Sequence, residues 1–424
     1  MHFILCINTF VNRIQWCSPV LLQLTNHSKK ELGVNGIIVI SVHRRCTAST
    51  LPELNHPCFC HHRQTMRNTS SSTTPSVSSG GPITIERQGS FFVGGRKVRA
   101  AGNYDGTTST FPPNTGQTFW VDHMYVQFQI PLHADKPPIV LVHGGGGTGR
   151  VWESTPDGRE GYQSIFLRRG HPVYIVDAPR GGRSGFPSFN GDFGKLDDSL
   201  QLVPARTMRP GREHGWSRWR LGPAYPDVYQ EQAFPMDAVD SFFQHLRPLV
   251  SDDPDLIGNT LVALFDKIGP GILVTHSNSG LWGWLAGARS SNIKAIVSYE
   301  PGVVFPRDNM PPALPLFTGT QAAGTPVSAD EFAQLAKIPV QVVFGDNIPT
   351  EPVPELPADG RRAQVIAARL FAQALNARDG NASVQLLPEV GLRGNTHFMF
   401  SDLNNVQVAD QLSAFLARHG LDAS

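Results

Sequence analysis

The stretch Val274-Thr-His-Ser-Asn-Ser-Gly280, VTHSNSG, joins two apolar runs of different character. Residues 271–274, GILV, are typical of a buried strand, whereas residues 281–285, LWGWL, are typical of a buried helix. A serine on a tight turn from strand to helix exposes its hydroxyl at the edge of a sheet, where it can act as a nucleophile. The usual pattern for this turn is G-x-S-x-G, and both glycines are absent here. The first question is therefore whether Ser277 is a nucleophile or an ordinary loop serine.

The residues around this serine allow the turn without those two glycines. Ser279 is nearly as small as the glycine that it replaces, and Gly280 follows it directly. Thr275 is β-branched, which is a favourable side chain for the last residue of a strand. We therefore predict that Ser277 is a nucleophile in a permissive version of the turn.

The charge balance of the whole chain points to a small, weakly charged partner. The 424 residues include 36 Lys and Arg against 35 Asp and Glu, a formal net charge of +1. This balance gives no long-range attraction to nucleic acid or to an anionic membrane. With 41 glycines, 34 prolines and 17% charged residues, the composition is that of a loop-rich globular protein. We expect no nucleic-acid partner, and the oligomeric state stays unknown.

All five cysteines precede residue 61, so a domain after that point uses neither disulfides nor thiolate metal ligands. We expect no metal and no cofactor. The apolar runs near the N-terminus are shorter than the roughly twenty residues of a membrane span, and we predict no transmembrane segment. The compartment stays unknown from the sequence, with a cytoplasmic location slightly favoured over a secreted one.

The composition of the chain changes near residue 85. Residues 1–85 show no sustained periodicity and end in a linker rich in Ser, Thr and Gly at residues 68–81. Met66 stands just before this linker, which leaves open whether residues 1–65 belong to the mature protein. We predict a poorly structured N-terminal segment followed by one domain at residues 86–424.

In the second part, strand-like runs alternate with helix-like stretches, which favours a mostly parallel sheet covered by helices on both faces. We predict strands at residues 90–93, 124–130, 138–142, 173–176, 272–274, 293–298, 340–344 and 384–387. We predict helices at residues 237–249, 280–288, 361–375 and 403–418. Two inserts, near residues 186–234 and 303–328, interrupt the alternation and are interpreted as lids over a site. The predicted fold class is α/β with a lid insert.

Ligands of open parallel sheets bind at the carboxyl ends of the strands, so the residues after each strand are candidates for a site. A glycine-rich loop, HGGGGTG, follows the strand at 138–142, and Ser277 follows a later strand. Glu300 and Asp346 follow the next two strands, and His397 follows the last one. The chain order of serine, acid and histidine is that of the α/β-hydrolase fold and differs from other serine-hydrolase folds.

Each of these residues has a physical role in acyl transfer. A serine is a weak nucleophile until a histidine takes its proton, and a carboxylate must hold that histidine in the right tautomer. The oxyanion needs backbone N–H donors, and Gly145 can bring one close because it has no Cβ. Asn278, at the start of the helix behind the nucleophile, supplies the second. The residues alone favour Asp346 as the acid, because it has the usual position in the fold, but two adjacent strand ends can both reach one histidine, so Glu300 stays open as well.

Seven motifs together resemble one family. From about residue 86 to the C-terminus, the sequence resembles the esterase-713-like carboxylesterase branch of the α/β-hydrolase superfamily. The motifs that carry the resemblance are GSFFVGGRKV (89–98), HGGGGTGRVWESTPDGREGY (143–162), VDAPRGGRSG (176–185), THSNSG (275–280), IVSYEPG (296–302), VVFGD (342–346) and GNTHFMFSDLNNVQVAD (394–410).

The resemblance implies a Ser-His-Glu triad. It implies Ser277 as nucleophile, His397 as base and Glu300, in an S-x-E-P-G motif, as acid, with Asp346 kept as the alternate. The family is typified by a bacterial carboxylesterase, which has two adjacent cysteines where this chain has Gly145 and Gly146, so the substrate of that enzyme does not transfer to this protein.

The expected function is a serine hydrolase that cleaves a small-molecule carboxylic ester through an acyl-enzyme. One alternative is a lactonase, or a non-hydrolytic condensation or acyl-transfer enzyme of a biosynthetic pathway, that uses the same site. A second alternative is a catalytically inactive hydrolase fold that serves as a binding protein. The joint presence of serine, acid and histidine disfavours the second alternative.

Overall fold

The computed structural model describes residues 80–107, 115–185, 188–189, 192–193, 207–250 and 253–422. Nearly all of the predicted N-terminal segment and its linker lies outside these ranges. The division of the chain near residue 85 therefore stays a proposal.

The centre of the described structure is one eight-stranded sheet. Its strands are β1 (Ile85–Arg99), β2 (Thr118–Pro131), β3 (Ile139–Val142), β4 (Val173–Asp177), β5 (Gly271–His276), β6 (Ile293–Tyr299), β7 (Val340–Phe344) and β8 (Ala382–Leu386). They lie in the order β1-β2-β4-β3-β5-β6-β7-β8. Strand β2 runs antiparallel to β1 and β4, and the strands from β4 to β8 pair in parallel. This is the mostly parallel sheet of the α/β-hydrolase fold that the sequence predicts.

Helices follow most of the parallel strands. The α-helices of the described residues are α1 (Arg150–Glu153), α2 (Tyr162–Arg168), α3 (Arg212–Arg218), α4 (Val239–Gln244), α5 (Pro254–Ile268), α6 (Ser279–Arg289), α7 (Ala329–Leu335), α8 (Leu356–Asn376) and α9 (Asn405–Arg418). Short 3-10 turns lie at Gly182–Ser184, Met236–Ala238 and Leu387–Val390.

The apolar character of the central strands follows from burial on both faces. Every residue of β3, β5 and β7 is buried, and each sheet face carries its own apolar cluster. Trp282 and Trp284 in α6 belong to one cluster, and Trp152 and Phe400 belong to the other. Parallel strands between two helix layers need such continuous apolar runs, because neither face meets water.

The predicted strands all correspond to observed ones, whereas the helices differ at their ends. The helix predicted at 237–249 is shorter, because α4 covers only Val239–Gln244. Helix α5 was not predicted, although its start carries two ordinary signals. Asp253 caps the helix by accepting a hydrogen bond of 3.0 Å from the Leu256 amide, and Pro254 occupies the first turn. The capping residue and the proline were visible in the sequence.

The two inserts differ in how much of them the structure describes. In residues 303–328, Val304–Pro306 pairs in parallel with Thr325–Val327, and Leu314–Pro315 pairs with Gln321–Ala322. The insert at 186–234 is described only in part and includes helix α3. Their interpretation as lids stays a prediction.

The register of the sheet brings the ends of four parallel strands to one edge. Val142 of β3 pairs with Thr275 of β5, Thr275 pairs with Ser298 of β6, and Ser298 pairs with Val342 of β7. The loops that follow these strands therefore start side by side, which is where α/β sheets bind ligands.

Among the described residues, no helix has both the length and the apolar character that are needed to span a membrane. In the same part of the chain, no three His, Cys, Asp or Glu side chains come together as metal ligands would.

Candidate active site

Ser277 lies on the tight turn between β5 and α6, in a conformation that few residues other than glycine adopt. Its φ angle is 55°, in the left-handed region. The Ser277 amide donates to the Tyr299 carbonyl at 2.8 Å, and the Gly280 amide donates to the Ser277 carbonyl at 3.0 Å. Backbone strain of this kind costs roughly 1–3 kcal/mol and is concentrated at functional sites. The turn therefore has the geometry of a nucleophile elbow.

Two serine and threonine hydroxyls stabilise this turn in place of the usual glycines. The Ser279 hydroxyl is buried and accepts a hydrogen bond of 2.8 Å from the His276 amide. The Thr275 hydroxyl lies 2.6 Å from that of Ser298 on the neighbouring strand. Each hydroxyl thus finds a partner, which a buried polar group needs.

The close approach of helix to strand is shifted to two later glycines. A Cβ on Gly280 would overlap the side chain of Pro301, and one on Gly283 would lie 2.8 Å from Cγ2 of Thr275. Glycine is therefore required behind the elbow at residues 280 and 283. Gly280 and Gly283 thus allow the close packing of helix against strand that the glycines of the usual motif allow.

Glu300 and His397 are joined by a short hydrogen bond. Nδ1 of His397 lies 2.6 Å from Oε2 of Glu300. A carboxylate only accepts, so Nδ1 carries the proton and Nε2 is left as an acceptor. Glu300 has a φ of 49° and directly follows β6, while the His397 amide donates to the Trp219 carbonyl at 3.1 Å. This arrangement holds the imidazole in the tautomer that a general base requires.

Arg220 and the Gly345 amide hold the Glu300 carboxylate. Nη1 of Arg220 donates to Oε2 at 3.0 Å, and Nη2 donates to Oε1. The Gly345 amide donates to Oε1 at 2.9 Å. Burial alone would raise the pKa of Glu300, but the charge of Arg220 and the hydrogen bond from His397 outweigh it and hold the pKa well below its usual range. Glu300 is therefore a carboxylate at neutral pH.

Asp346, the alternate acid, makes different contacts. Its carboxylate accepts from the Asn347 amide at 2.7 Å and from the Gly394 amide at 2.9 Å. Its backbone carbonyl accepts from Nε of Arg220 at 2.7 Å. In the described structure Asp346 thus connects the loop after β7 to the loop that carries His397, and Glu300 is the carboxylate on the imidazole.

The environment of His397 keeps its ring neutral. Burial lowers the pKa of His397 to about 3, and the charge of Arg361 adds to this effect, while Glu300 opposes it. Two charged groups contact the ring: the carboxylate of Glu300 at Nδ1 and the guanidinium of Arg361 at Nε2. Nη2 of Arg361 lies 3.3 Å from Nε2 of His397. The lone pair on Nε2 of the neutral ring faces this N–H group.

The loop that presents His397 is organised by Asp402. Its carboxylate accepts from the Thr396 amide at 2.7 Å, from the Thr396 hydroxyl at 2.8 Å and from the Asn395 side chain at 3.0 Å. No role for Asp402, Arg220 or Arg361 was predicted from the sequence. Asp402 lies inside the GNTHFMFSD motif, which was a usable signal, whereas the two arginines come from distant segments without one.

The two predicted oxyanion residues lie against each other beside Ser277. A Cβ on Gly145 would lie 2.5 Å from the side-chain nitrogen of Asn278, so that any larger residue would displace it. Asn278 follows Ser277 directly and precedes helix α6. The glycine-rich loop that carries Gly145 is held by His143, whose Nδ1 donates to the Gly144 carbonyl at 2.7 Å. The arrangement offers backbone amides near the serine at a helix N-terminus.

A cavity of about 380 Å³ opens at these strand ends. Its lining includes Ser277, Asn278, Glu300, Arg218 and Arg361. The structure therefore brings the predicted serine, acid and one oxyanion residue to one cavity, with the histidine bound to the acid.

Comparisons with known proteins give two informative relatives, and no protein-family model matches the chain. The probable secreted lipase phiG of Fungal sp. (strain ATCC 74256) is 28% identical over 324 residues, covering 70% of this chain and 86% of that protein. A solved structure of a novel bacterial esterase is 34% identical and has a TM-score of 0.65. Its alignment covers 81% of this chain and 98% of the bacterial chain.

Fold and similarity lead to the same assignment. The sheet is mostly parallel, with a serine on a positive-φ turn after β5, and 34% identity extends over nearly the whole bacterial esterase. The chain belongs to the esterase branch of the α/β-hydrolase superfamily.

Proposed function

We propose that this protein hydrolyses carboxylic esters through an acyl-enzyme formed on Ser277. The observation that carries the proposal is the 2.6 Å contact between His397 and Glu300 at the strand edge that also presents Ser277. The relatives named as an esterase and a lipase support ester hydrolysis as the reaction. The triad itself is our assignment.

In the first half of the reaction, Nε2 of His397 takes the proton of the Ser277 hydroxyl as its oxygen attacks the ester carbonyl. The C–O π bond becomes an oxyanion, which the backbone amides of Gly145 and Asn278 stabilise. Glu300 stays ionised and stabilises the imidazolium. The tetrahedral intermediate then expels the alkoxide, which leaves as the alcohol with the proton from His397.

In the second half, water replaces the alcohol. His397 takes a proton from this water, and the resulting hydroxide attacks the acyl-enzyme carbonyl. Collapse of the second intermediate releases the carboxylic acid and returns the proton to Ser277. The net reaction is ester plus water to acid plus alcohol, and it uses only side chains and backbone amides of this chain.

The test compares the full-length protein with Ser277→Ala on short-chain p-nitrophenyl esters and on a fluorophosphonate probe. We expect wild type to turn over the ester and to be labelled, and Ser277→Ala to do neither. An inactive binding protein would neither hydrolyse nor be labelled. Labelling without any hydrolysis would instead favour lactone opening or acyl transfer at the same serine.

The fungal relative is named as secreted, which argues against the cytoplasmic location that the sequence slightly favoured. We therefore include a secreted location in the proposal. To test the secreted location, ester hydrolysis is measured separately in the medium and in the cell fraction of an expressing culture. Activity confined to the cells would contradict a secreted location.

A further inference from the structure

The cavity beside Ser277 contains a buried positive charge that the proposed reaction does not use. Arg361 of helix α8 is only 7% exposed. Nη1 donates to Oε1 of Gln364 at 2.7 Å, and Nη2 lies 3.3 Å from Nε2 of His397. A buried guanidinium is costly unless a negative charge compensates it.

The carboxylate nearest to Arg361 is already engaged. Arg220 binds both oxygens of Glu300, whereas Nη1 of Arg361 is 3.7 Å from Oε2. Among the described residues, two buried guanidinium groups thus face one carboxylate, which gives this group of three side chains a net positive charge. Arg218 adds a further cation to the cavity lining. Among the described residues of that lining, Glu300 provides the only carboxylate.

Burial and the neighbouring charges also act on the pKa of Arg361. Burial lowers its pKa to about 10, Glu300 opposes this effect, and the charges of Arg220 and Arg218 reinforce it. An anion that entered the cavity would raise the pKa of Arg361 again, because a negative charge favours the charged guanidinium.

Arg361 also contacts Nε2 of His397, the atom that accepts the serine proton in the proposed mechanism. Because Nδ1 donates to Glu300, Nε2 has one lone pair, and Nη2 of Arg361 points an N–H toward it. The Ser277 hydroxyl needs the same lone pair to give up its proton. The two donors compete, and a ligand that attracts Arg361 would leave the lone pair to Ser277.

We propose that Arg361 is a specificity-determining residue that binds a carboxylate on the substrate, so that the preferred esters carry a negative charge besides the ester group. This inference rests on the proposed ester hydrolysis. A guanidinium presents two parallel N–H groups that match a carboxylate, and Arg218 adds attraction at the cavity. Binding turns Arg361 away from Nε2 and couples recognition of the substrate to release of the base.

The experiment uses the full-length protein and two substrates whose distal carboxyl is either free or methylated, mono-4-nitrophenyl adipate and its methyl ester, with release of 4-nitrophenol as the readout for both. We expect kcat/KM to be roughly 10- to 100-fold higher for the free acid, since hydrogen bonds to charged groups have this magnitude. In Arg361→Gln the free acid should lose this advantage, so that the ratio of kcat/KM for the free acid to kcat/KM for the methyl ester falls to about one.

Arg369→Gln is the matched control, because Arg369 lies on the same helix and is 57% exposed. It should keep the wild-type preference. Equal kcat/KM for both substrates in wild type would overturn the inference. So would an Arg361→Gln variant that loses activity on both substrates to the same degree, because Arg361 would then only support His397.

A second measurement needs no variant and covers the case in which Arg361→Gln fails to fold. Adipate dianion should inhibit hydrolysis of the methyl ester competitively, and adipamide should not. Equal effects of the two would overturn the inference. If Ser277-dependent hydrolysis of both esters is absent, the proposed function fails and this inference fails with it. Hydrolysis without a charge preference rejects the inference alone.

Discussion

Glu300 and His397 lie 97 positions apart in the sequence, yet Oε2 of Glu300 is 2.6 Å from Nδ1 of His397. The contact depends on the sheet, which places the residue after β6 beside the loop after β8 across β7. It also depends on Arg220, whose guanidinium binds the same carboxylate. The following predictions test parts of this arrangement.

Replacement of Glu300 by Gln should lower kcat on a p-nitrophenyl ester by roughly 10³- to 10⁴-fold. The amide no longer fixes the tautomer or stabilises the imidazolium, and the corresponding change in another triad has an effect of about 10⁴. Asp346→Asn is the matched variant and should stay within about tenfold of wild type, because Asp346 bonds to backbone amides. A larger loss in Asp346→Asn than in Glu300→Gln would transfer the role of acid to Asp346.

Replacement of Arg220 by Met should lower the free energy of unfolding by roughly 3–5 kcal/mol, because a buried carboxylate loses its main partner. Urea denaturation at pH 7 measures this. Arg212→Met, which breaks an exposed ion pair with Asp240, should cost less than about 1 kcal/mol. Similar losses in the two variants would mean that the Arg220 ion pair contributes no more than a surface pair.

Acid should destabilise the protein through its buried histidines. Burial lowers the pKa of His143 and of His245 to about 4 and that of His397 to about 3. Their unfolded values are about 6.5. Between these values the unfolded chain binds protons that the folded protein does not, so stability is full above about pH 6.5 and falls as the pH decreases.

The change from pH 7 to pH 5 should lower the free energy of unfolding by roughly 2 kcal/mol for each such histidine. Urea denaturation at the two pH values measures it. His245→Gln should reduce the difference, whereas His214→Gln, at an exposed position, should not. A free energy of unfolding that is equal at pH 5 and pH 7 would contradict burial of neutral histidines.

Replacement of Gly280 by Ala should damage both stability and activity. Its new Cβ would overlap Pro301, which follows Glu300, and moving either residue disturbs the elbow. We expect a loss of roughly 1–3 kcal/mol, as for other overpacked sites. Thermal or urea unfolding measures the loss of stability, and ester turnover measures the loss of activity.

Gly360→Ala is the matched control for this change. Gly360 lies in helix α8, and a Cβ there would meet open space. Alanine should therefore stabilise the protein by about 0.5–1 kcal/mol. A Gly280→Ala variant as stable and active as Gly360→Ala would show that the elbow tolerates a side chain.

The central strands β3, β5 and β7 could be predicted from the sequence because they are short, mostly apolar runs that are buried throughout. The prediction was less successful where local signals compete, as at α4, which is shorter than expected, and at α5, which was not predicted. Arg220 and Arg361 could not be found in this way. An arginine has the same local pattern on a surface and in a buried ion pair, and only its neighbours in space differ.

The sequence by itself determined the alternation of strands and helices, the position of Ser277 between them and the chain order of serine, acid and histidine. These features are local, because side-chain period and turn chemistry are written in a few adjacent residues. The tertiary structure decided which carboxylate contacts His397. Glu300 and Asp346 both follow parallel strands that end at one edge, so sequence position does not separate them. The left-handed backbone of Glu300 and the ion pair with Arg220 aim its carboxylate at the ring, while backbone amides hold that of Asp346.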